Sequence, residues 1–175
     1  AEGMSKGVQY LMKKNKIEVI NGFGKVKPGK KVEVKAENGE TTEYSADNII
    51  IATGARSREL PSLPQDGKKV IGYREAMSLE KQPKKMIVVG SGAIGMEFAY
   101  FYHSMGTEVT VVEYMPNIVP VEDEDISKQL ERSFKKAGVK IKTSAEVTKV
   151  DTSGDGVKAT VKTQKGEEVL EADIV

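Results

Sequence analysis

Residues 84–113 read KKMIVVGSGAIGMEFAYFYHSMGTEVTVVE, and this stretch indicates the fold class of the chain. It opens on a continuously apolar run, Met86 to Val89, which is typical of a strand covered on both faces. The glycine loop Gly90 to Gly95 follows at once, and apolar side chains then recur at helical spacing as far as Met105. Val109 to Val112 predicts a second buried strand. Strand, turn, helix and strand within about 30 residues indicate a βαβ unit with a right-handed crossover.

The glycine loop has the spacing of a dinucleotide-binding fingerprint. Gly90 permits the tight turn, Gly92 lets the backbone approach a pyrophosphate, and Gly95 lets the helix pack closely on the strand. The helix that begins near Ala93 directs its unpaired N–H groups and the positive end of its dipole at the same place. A GxGxxG motif alone is weak, but this one follows a buried strand and precedes an amphipathic helix. The loop is therefore predicted to bind the pyrophosphate of a dinucleotide.

An acidic residue stands at the end of the second strand, where a nucleotide-binding domain places one. Glu113 lies 18 residues beyond Gly95. Its carboxylate can accept hydrogen bonds from an adenosine ribose, whereas it would repel the 2′-phosphate of NADP. No arginine lies in residues 114–120 to hold such a phosphate. The pattern favours NAD, the alternative being a glutamate that only caps the edge of the strand.

A second helix and a third strand are predicted downstream. The acidic run Glu122 to Asp125 precedes an amphipathic pattern, with Lys135 and Lys136 near its end and Gly138 beyond it. Acid at the start and base at the end of a helix complement the helix dipole, so we interpret the acidic run as a helix N-terminus and not as a metal site. Val139 to Thr143 then predicts a third parallel strand.

The two halves of the chain end on similar patterns. In each half a glycine-containing turn, Asn38-Gly39 or Lys165-Gly166, separates two alternating polar segments, which indicates a β-hairpin. Each hairpin leads into an apolar segment that we predict to be a strand, residues 48–51 in the first half and Ile174-Val175 in the second. Only the second copy is preceded by a complete βαβ unit. We therefore expect the chain to be an internal piece of a longer protein, cut short at both ends.

The composition argues against several classes of function. Lys and Arg number 27 against 26 Asp and Glu, so no long-range field attracts nucleic acid or an anionic membrane. No apolar run approaches the roughly 20 residues that cross a bilayer, and residues 1–6 do not form a signal peptide, which predicts a soluble, cytoplasmic protein. The chain contains no cysteine, so thiolate metal sites and thiol redox chemistry are excluded within it.

The chain resembles the pyridine-nucleotide-disulfide oxidoreductases over almost its whole length. The matching segments are Ile20 to Lys25, Ile49 to Ser57, Pro83 to Lys85 and Gly90 to Glu97. In that family a flavin domain and a nicotinamide domain have similar folds, which agrees with the repeated pattern. The resemblance is strongest to the branch that oxidises dihydrolipoamide, in which a hydride passes by way of FAD to NAD.

The resemblance assigns a part to each region of this α/β chain. Residues 1–60 correspond to the C-terminal part of the first FAD-domain segment, which is expected to be incomplete here. Residues 61–83 correspond to a connector. Residues 84–175 correspond to a Rossmann-type βαβ NAD-binding domain with a β-meander, expected to stop short at its C-terminal end.

The resemblance also implies which residues bind the two cofactors. Four residues match positions that touch FAD, namely Gly24, Thr53, Gly54 and Ala55. Ten residues match the NAD site, namely Gly90, Ser91, Gly92, Ala93, Ile94, Gly95, Met96, Glu97, Glu113 and Val147. Val147 would pack against adenine, a role that spacing does not indicate because a valine in a strand is normally part of the core. No metal ligand is implied.

Parts of the family pattern have no match in this chain. The family's first glycine loop and its redox-active cysteine pair lie upstream of the region that residues 1–16 resemble. Its catalytic histidine–glutamate pair and its dimer-forming domain lie downstream of Val175. No residue here is therefore assigned as catalytic, and the chain itself is expected to be inactive. The whole enzyme would form a homodimer and serve lipoyl-carrying 2-oxoacid dehydrogenase complexes or the glycine cleavage system.

Two other interpretations are open at this point. Another member of the family, such as a glutathione reductase, a mercuric reductase or an NADH oxidase, would have the same fold, although Glu113 argues against the members that use NADP. A module that binds NAD without catalysing a reaction would also carry the nucleotide fingerprint.

Overall fold

The structure of the chain, a computed structural model, describes residues 2–175 and divides into two compact units on either side of the Ala55–Arg56 peptide bond. The first unit contains helix α1 (Glu2–Lys14) and strands β1 (Phe23–Lys27), β2 (Lys31–Lys35) and β3 (Thr41–Ser45). The strands pair antiparallel in the order β1-β2-β3, which confirms the first predicted hairpin. The turn between β2 and β3 carries Gly39 at φ +88°, in the left-handed region that glycine adopts without strain.

The apolar segment after this hairpin is not a strand, so the prediction for residues 48–51 is wrong. Ile50 and Ile51 are 90% and 71% exposed, and none of residues 2–55 is buried. A strand is held by hydrogen bonds to a neighbouring strand. Within the described part of the first unit, no strand pairs with this segment. An apolar run therefore does not become a strand where its partner is lacking.

The second unit is built on a parallel sheet. A short helix, α2 (Tyr73–Ala76), precedes the three strands β4 (Lys85–Val89), β5 (Glu108–Val112) and β6 (Lys140–Lys142), which pair in the order β4-β5-β6. Helix α3 (Ala93–Ser104) connects β4 to β5, and helix α4 (Glu124–Ala137) connects β5 to β6. The predicted βαβ unit and the third parallel strand are confirmed.

An antiparallel meander follows the parallel sheet. Its strands β7 (Glu146–Asp151), β8 (Val157–Thr163) and β9 (Gly166–Ala172) pair in sequence order, which confirms the second predicted hairpin. The segment after β9 forms less of a strand than predicted, since Ile174 makes a single parallel bridge with Met86. There the Ile87 N–H donates to the Ile174 carbonyl at 3.0 Å. This bridge attaches the end of the meander to the outer edge of β4.

The parallel sheet is covered by helices on one face and by the meander on the other. Successive side chains of a strand point to opposite faces, so alternate residues of β4 and β5 enter different cores. The core on the helix side is formed by apolar residues of β4, β5 and α3, including Met86, Val109, Val111, Met96, Ala99 and Tyr102. The core on the meander side includes Ile87, Val112, Val147, Val157, Ala159 and Val161. Burial of both faces explains why Met86 to Val89 of β4 form a continuously apolar run.

The ends of α4 explain the charge pattern that marks this helix in the sequence. The Asp123 side chain caps the helix by accepting a hydrogen bond from the Asp125 N–H at 2.9 Å. Two acidic residues occupy the first turn and two lysines the last. The helix ends on Gly138 at φ +106°. The acidic run is thus confirmed as a helix N-terminus.

Replacing Asp123 with alanine is expected to lower the free energy of unfolding by about 1 kcal/mol, because the Asp125 N–H then loses its acceptor. Urea denaturation followed by circular dichroism measures this change. The control is Glu122→Ala, which removes a neighbouring carboxylate that accepts no hydrogen bond from residues 2–175. An equal loss in the two variants would show that the charge of the acidic run, and not the cap, stabilises the helix.

Residues 61–83, expected to be a connector, pack onto the second unit. Val70 is 3% exposed, and the Ile71 N–H donates to the Val175 carbonyl at 2.9 Å. The Ile71 side chain packs against the apolar core on the helix side, and Ala76 of the same segment belongs to that core. In this structure residues 61–83 thus belong to the same compact unit as the parallel sheet, and a domain boundary at residue 84 stays a prediction.

Two kinds of feature are missing from the described residues. No helix among residues 2–175 is long and apolar enough to cross a membrane. Within the same range, no three histidine, aspartate or glutamate side chains are grouped so that they could hold a metal ion. The single histidine, His103, lies with its Nε2 atom 2.9 Å from the Ala137 carbonyl oxygen and so joins α3 to the end of α4.

Candidate functional site

The glycine loop connects the carboxyl end of β4 to the start of α3. Gly90 adopts φ +96°, which residues with a side chain rarely adopt. Its N–H donates to the Val112 carbonyl at 2.9 Å and so attaches the loop to β5. A Cβ on Gly95 would lie 2.2 Å from the Gly90 carbonyl oxygen. The turn requires glycine at the first of these positions, and the close approach of helix to strand requires it at the second.

Gly92 differs from the other two glycines of the loop. It is the N-cap of α3, with φ −63° and ψ 174°, a conformation open to any residue. A Cβ built on it would meet no atom of residues 2–175 within 4 Å. Neither the backbone nor the packing of the described chain requires a glycine here. The open space over Gly92 is the space that a bound pyrophosphate needs.

The N-terminus of α3 presents unpaired donors beside that space. The first helical hydrogen bond runs from the Met96 N–H to the Gly92 carbonyl at 3.0 Å. In the described part of the chain, no backbone or side-chain acceptor takes the N–H groups of Ala93, Ile94 and Gly95. Unpaired N–H groups and the positive end of a helix dipole attract an anion. The residues present therefore fit the phosphates of a dinucleotide.

Glu113 is buried against the glycine loop. It is 6% exposed at the carboxyl end of β5. Its Oε2 atom accepts two hydrogen bonds from Ser91, one from the backbone N–H and one from Oγ, each at 2.7 Å. Its Oε1 atom accepts a third from the Met115 N–H, also at 2.7 Å. A carboxylate has about four acceptor positions, so the described chain leaves one position on Oε1 unfilled.

Two cavities of the second unit adjoin these residues. One, of about 360 Å³, is lined by β4, by residues 70–73 and by Gly92, Ile94 and Phe98. The other, of about 350 Å³, is lined by residues 144–146, by the start of the β8–β9 turn and by Tyr114, the residue after Glu113. Concave surface thus flanks the carboxyl ends of β4 and β5, which is where open parallel sheets bind their ligands.

The other residues predicted for the NAD site are divided between the surface and the core. Ala93, Ile94 and Glu97 are exposed on the first turns of α3. Met96 is 4% exposed and Val147 is 6% exposed, and each packs in one of the two cores. Their side chains stabilise the fold in this structure. A contact between Val147 and adenine stays a prediction.

The four residues predicted for the flavin site belong to the first unit. Gly24 lies in β1, whereas Thr53, Gly54 and Ala55 lie outside the helices and strands. All four are exposed, and Gly54 has φ +76°. The second unit therefore brings the loop and Glu113 together without these residues, and their role toward FAD stays a prediction.

One participant in the site, Met115, is not indicated by any motif of the sequence. Its N–H holds Glu113, and its carbonyl accepts a hydrogen bond from the Ser144 N–H at 2.9 Å. Both hydrogen bonds are made by backbone atoms of Met115, so they do not depend on the type of side chain at this position. The local contact from a side chain to the N–H two residues further along is typical of Asp and Asn and not of Glu, so the sequence contains no signal for Met115.

Comparison with known proteins gives a match over the full chain. The family model of the pyridine nucleotide-disulphide oxidoreductases matches residues 1–175. A dihydrolipoyl dehydrogenase from Rhizobium etli is 48% identical over 178 aligned positions, which cover 93% of this chain and 37% of that protein. The chain thus spans little more than a third of the length of this relative.

Two solved structures superpose on this chain over nearly its whole length. The crystal structure of LpdA from Mycobacterium tuberculosis superposes with a TM-score of 0.86 at 32% identity and covers 99% of this chain, which spans 38% of that one. A NAD-dependent persulfide reductase from A. fulgidus gives a TM-score of 0.76 at 28% identity over 95% of this chain and 32% of its own.

Proposed function

The chain belongs to the pyridine nucleotide-disulphide oxidoreductase family, and from that membership we propose that residues 56–175 bind NAD(H) as part of a dihydrolipoamide dehydrogenase. Members of the family are oxidoreductases that use FAD and a pyridine nucleotide. The observation that carries the proposal is the pair of 2.7 Å hydrogen bonds between Ser91 and the Glu113 carboxylate. They join the residue that would select the nucleotide to the loop that would bind its phosphates.

The proposed site has a different residue for each part of the nucleotide. The N–H groups at the start of α3 would hold the pyrophosphate, and the open space over Gly92 would admit it. The remaining acceptor position on Glu113 Oε1 would take a hydrogen bond from the adenosine ribose. When bound, NAD supplies a hydride acceptor, and the chain's own residues orient it.

The charges at the end of β5 favour NAD over NADP. The Glu113 carboxylate is buried next to the loop, so a 2′-phosphate on the ribose would approach a negative charge that water screens poorly. The following residues, 114–120, supply no arginine that could neutralise that phosphate. The name of the related persulfide reductase, which is NAD-dependent, supports the same choice.

For the whole protein we propose the oxidation of dihydrolipoamide, with a hydride reaching NAD by way of FAD. The name of the Rhizobium etli relative supports this substrate. The 175 residues contain no cysteine, so they do not themselves exchange electrons with a dithiol. Contacts of Gly24 and of Thr53 to Ala55 with FAD, a homodimer and lipoyl-carrying partner complexes belong to the same proposal.

A second candidate is an NAD-dependent reductase of persulfides or related sulfur compounds. The likeness to the persulfide reductase from A. fulgidus favours it. The identity to that protein is 28%, against 48% for the dihydrolipoyl dehydrogenase, which favours the first candidate. Both candidates use the same nucleotide site, so assays of the whole protein with dihydrolipoamide and with a persulfide substrate distinguish them.

The chain is expected to bind NADH more tightly than NADPH, and Glu113→Ala is expected to weaken NADH binding by about 1–3 kcal/mol. The variant removes the ribose acceptor and also frees both Ser91 donors. Titration calorimetry with each nucleotide measures the two affinities.

The control for this prediction is Glu108→Ala, at the opposite end of β5, where the carboxylate pairs with Lys140. It removes the same group from the same strand and should leave nucleotide binding unchanged. Equal affinities of the unaltered chain for NADH and NADPH would contradict the assignment of Glu113.

A further inference from the structure

Ser91 differs from the rest of the glycine loop in its burial. Its exposed fraction is 0%, whereas Ala93 and Ile94 next to it are exposed. Its side chain therefore offers no surface to a ligand in this structure. All of its polar atoms are engaged with protein: Oγ and the N–H donate to Glu113, and the carbonyl accepts from the Val119 N–H at 2.9 Å.

We propose that Ser91 is a positioning residue that sets the nucleotide preference through Glu113, an inference that rests on the proposed function. The Ser91 hydroxyl and N–H fill both acceptor positions of Oε2, and the Met115 N–H fills one of the two on Oε1. The carboxylate is held at both oxygens and cannot rotate without breaking a buried hydrogen bond. Its last acceptor position is thus presented to a ribose hydroxyl at a fixed place.

The same contacts make Glu113 an obstacle to a 2′-phosphate. A carboxylate free to rotate could turn away from an incoming phosphate group, whereas one held by three hydrogen bonds must face it. The burial of the pair strengthens the repulsion because little water screens it. The hydroxyl of Ser91 therefore contributes to NADH affinity and to the rejection of NADPH without touching either nucleotide.

The backbone of Ser91 is held independently of its hydroxyl. The hydrogen bonds from its N–H to Glu113 and from the Val119 N–H to its carbonyl remain when the side chain is shortened. Ser91→Ala should therefore leave the loop in place and remove only one of the three hydrogen bonds to the carboxylate. This property makes the variant a specific probe of the positioning role.

The test compares Ser91→Ala with Thr107→Val by calorimetric titration of NADH and NADPH into the full chain. Thr107 is the matched control, because it is 1% exposed and its hydroxyl donates to the Pro83 carbonyl at 2.8 Å, ahead of the opposite end of β5. Ser91→Ala is expected to weaken NADH binding about threefold to tenfold, the loss that one hydrogen bond causes. NADPH binding should change less, so the NADH preference falls. Thr107→Val should lower the thermal midpoint and leave the preference unchanged.

A second arm uses the Glu113→Ala background, in which Ser91→Ala should have no further effect on NADH affinity, since the carboxylate that it positions is gone. A drop in thermal midpoint with unchanged affinities for both nucleotides would show that the hydroxyl only stabilises the fold and would overturn the proposal. An equal loss of NADH affinity in both backgrounds would also overturn it. If the unaltered chain binds neither nucleotide, the proposed function itself fails, a result distinct from the other two.

Discussion

Replacing Gly95 with alanine is expected to destabilise the second unit by at least about 3 kcal/mol, at the upper end of what an added methyl group costs in a packed interior. The added Cβ would lie 2.2 Å from the Gly90 carbonyl oxygen and 3.4 Å from a Val88 methyl group. The first of these neighbours is backbone, so it cannot rotate away as a side chain could. Relief of the clash requires α3 to move off β4, which would break the packing of the helix on the sheet.

Urea denaturation of Gly95→Ala measures this loss, and NADH binding should fall with it because the loop is displaced. The control is Gly154→Ala, in the turn between β7 and β8. A Cβ at Gly154 would meet nothing within 4 Å, and this glycine does not have a positive φ. Gly154→Ala should therefore be nearly neutral. A Gly95→Ala chain as stable as the unaltered one would show that helix and strand are not as close as described.

Gly92→Val is expected to have a different effect from Gly95→Ala. It should greatly weaken NADH binding with little loss of stability. The new side chain would meet no atom of the described chain within 4 Å of its Cβ and would need no unusual φ. It would instead fill the space over the unpaired N–H groups of α3. A hydrogen bond to a charged group is worth about 1.5–3 kcal/mol. Loss of two would weaken NADH binding by about 3 kcal/mol or more, over a hundredfold.

Calorimetric titration with NADH measures this loss, and circular dichroism during heating checks that the fold is kept. An N-cap valine is less favourable than glycine by about 1 kcal/mol, so a small decrease in stability is expected. Gly154→Val places the same side chain in an exposed turn outside the site and should leave NADH affinity unaltered. If Gly92→Val binds NADH as tightly as the unaltered chain, the phosphates do not lie over the glycine loop.

The parallel sheet could be predicted because its signals are local. A buried strand, a glycine turn and an amphipathic helix are each visible within a few residues, and Met86 to Val89 has the partner Val109 to Val112 in the very next strand. The run at Ile49 to Ile51 has the same composition but no strand beside it within the described first unit. Apolar composition predicts a strand only where pairing is available, and pairing depends on residues distant in sequence.

The loop and Glu113 can be predicted from the sequence, whereas the hydrogen bonds that join them cannot. The spacing placed Glu113 at the end of a strand beside the loop, and the register of β4 with β5 pairs Val89 with Val112, which brings the two ends together. The hydrogen bonds from Ser91 and Met115 depend on that register and on the course of the chain after β5. Neither the register of the strands nor the course of the chain after β5 can be derived from the sequence alone. The burial of Val70, in the segment before residue 84, likewise depends on contacts that are distant in sequence.

Whether the loop and Glu113 form a nucleotide site is tested by titrating isotope-labelled chain with NADH and following the backbone amide resonances. Large shifts are expected for Ser91 to Gly95 and for Met115, whose N–H groups line the site or hold its carboxylate. Resonances of Glu108 and Lys140, at the opposite end of the parallel sheet, should not move. If saturating NADH leaves the Ser91 to Gly95 amides unchanged, or shifts another surface instead, the nucleotide does not bind at this loop.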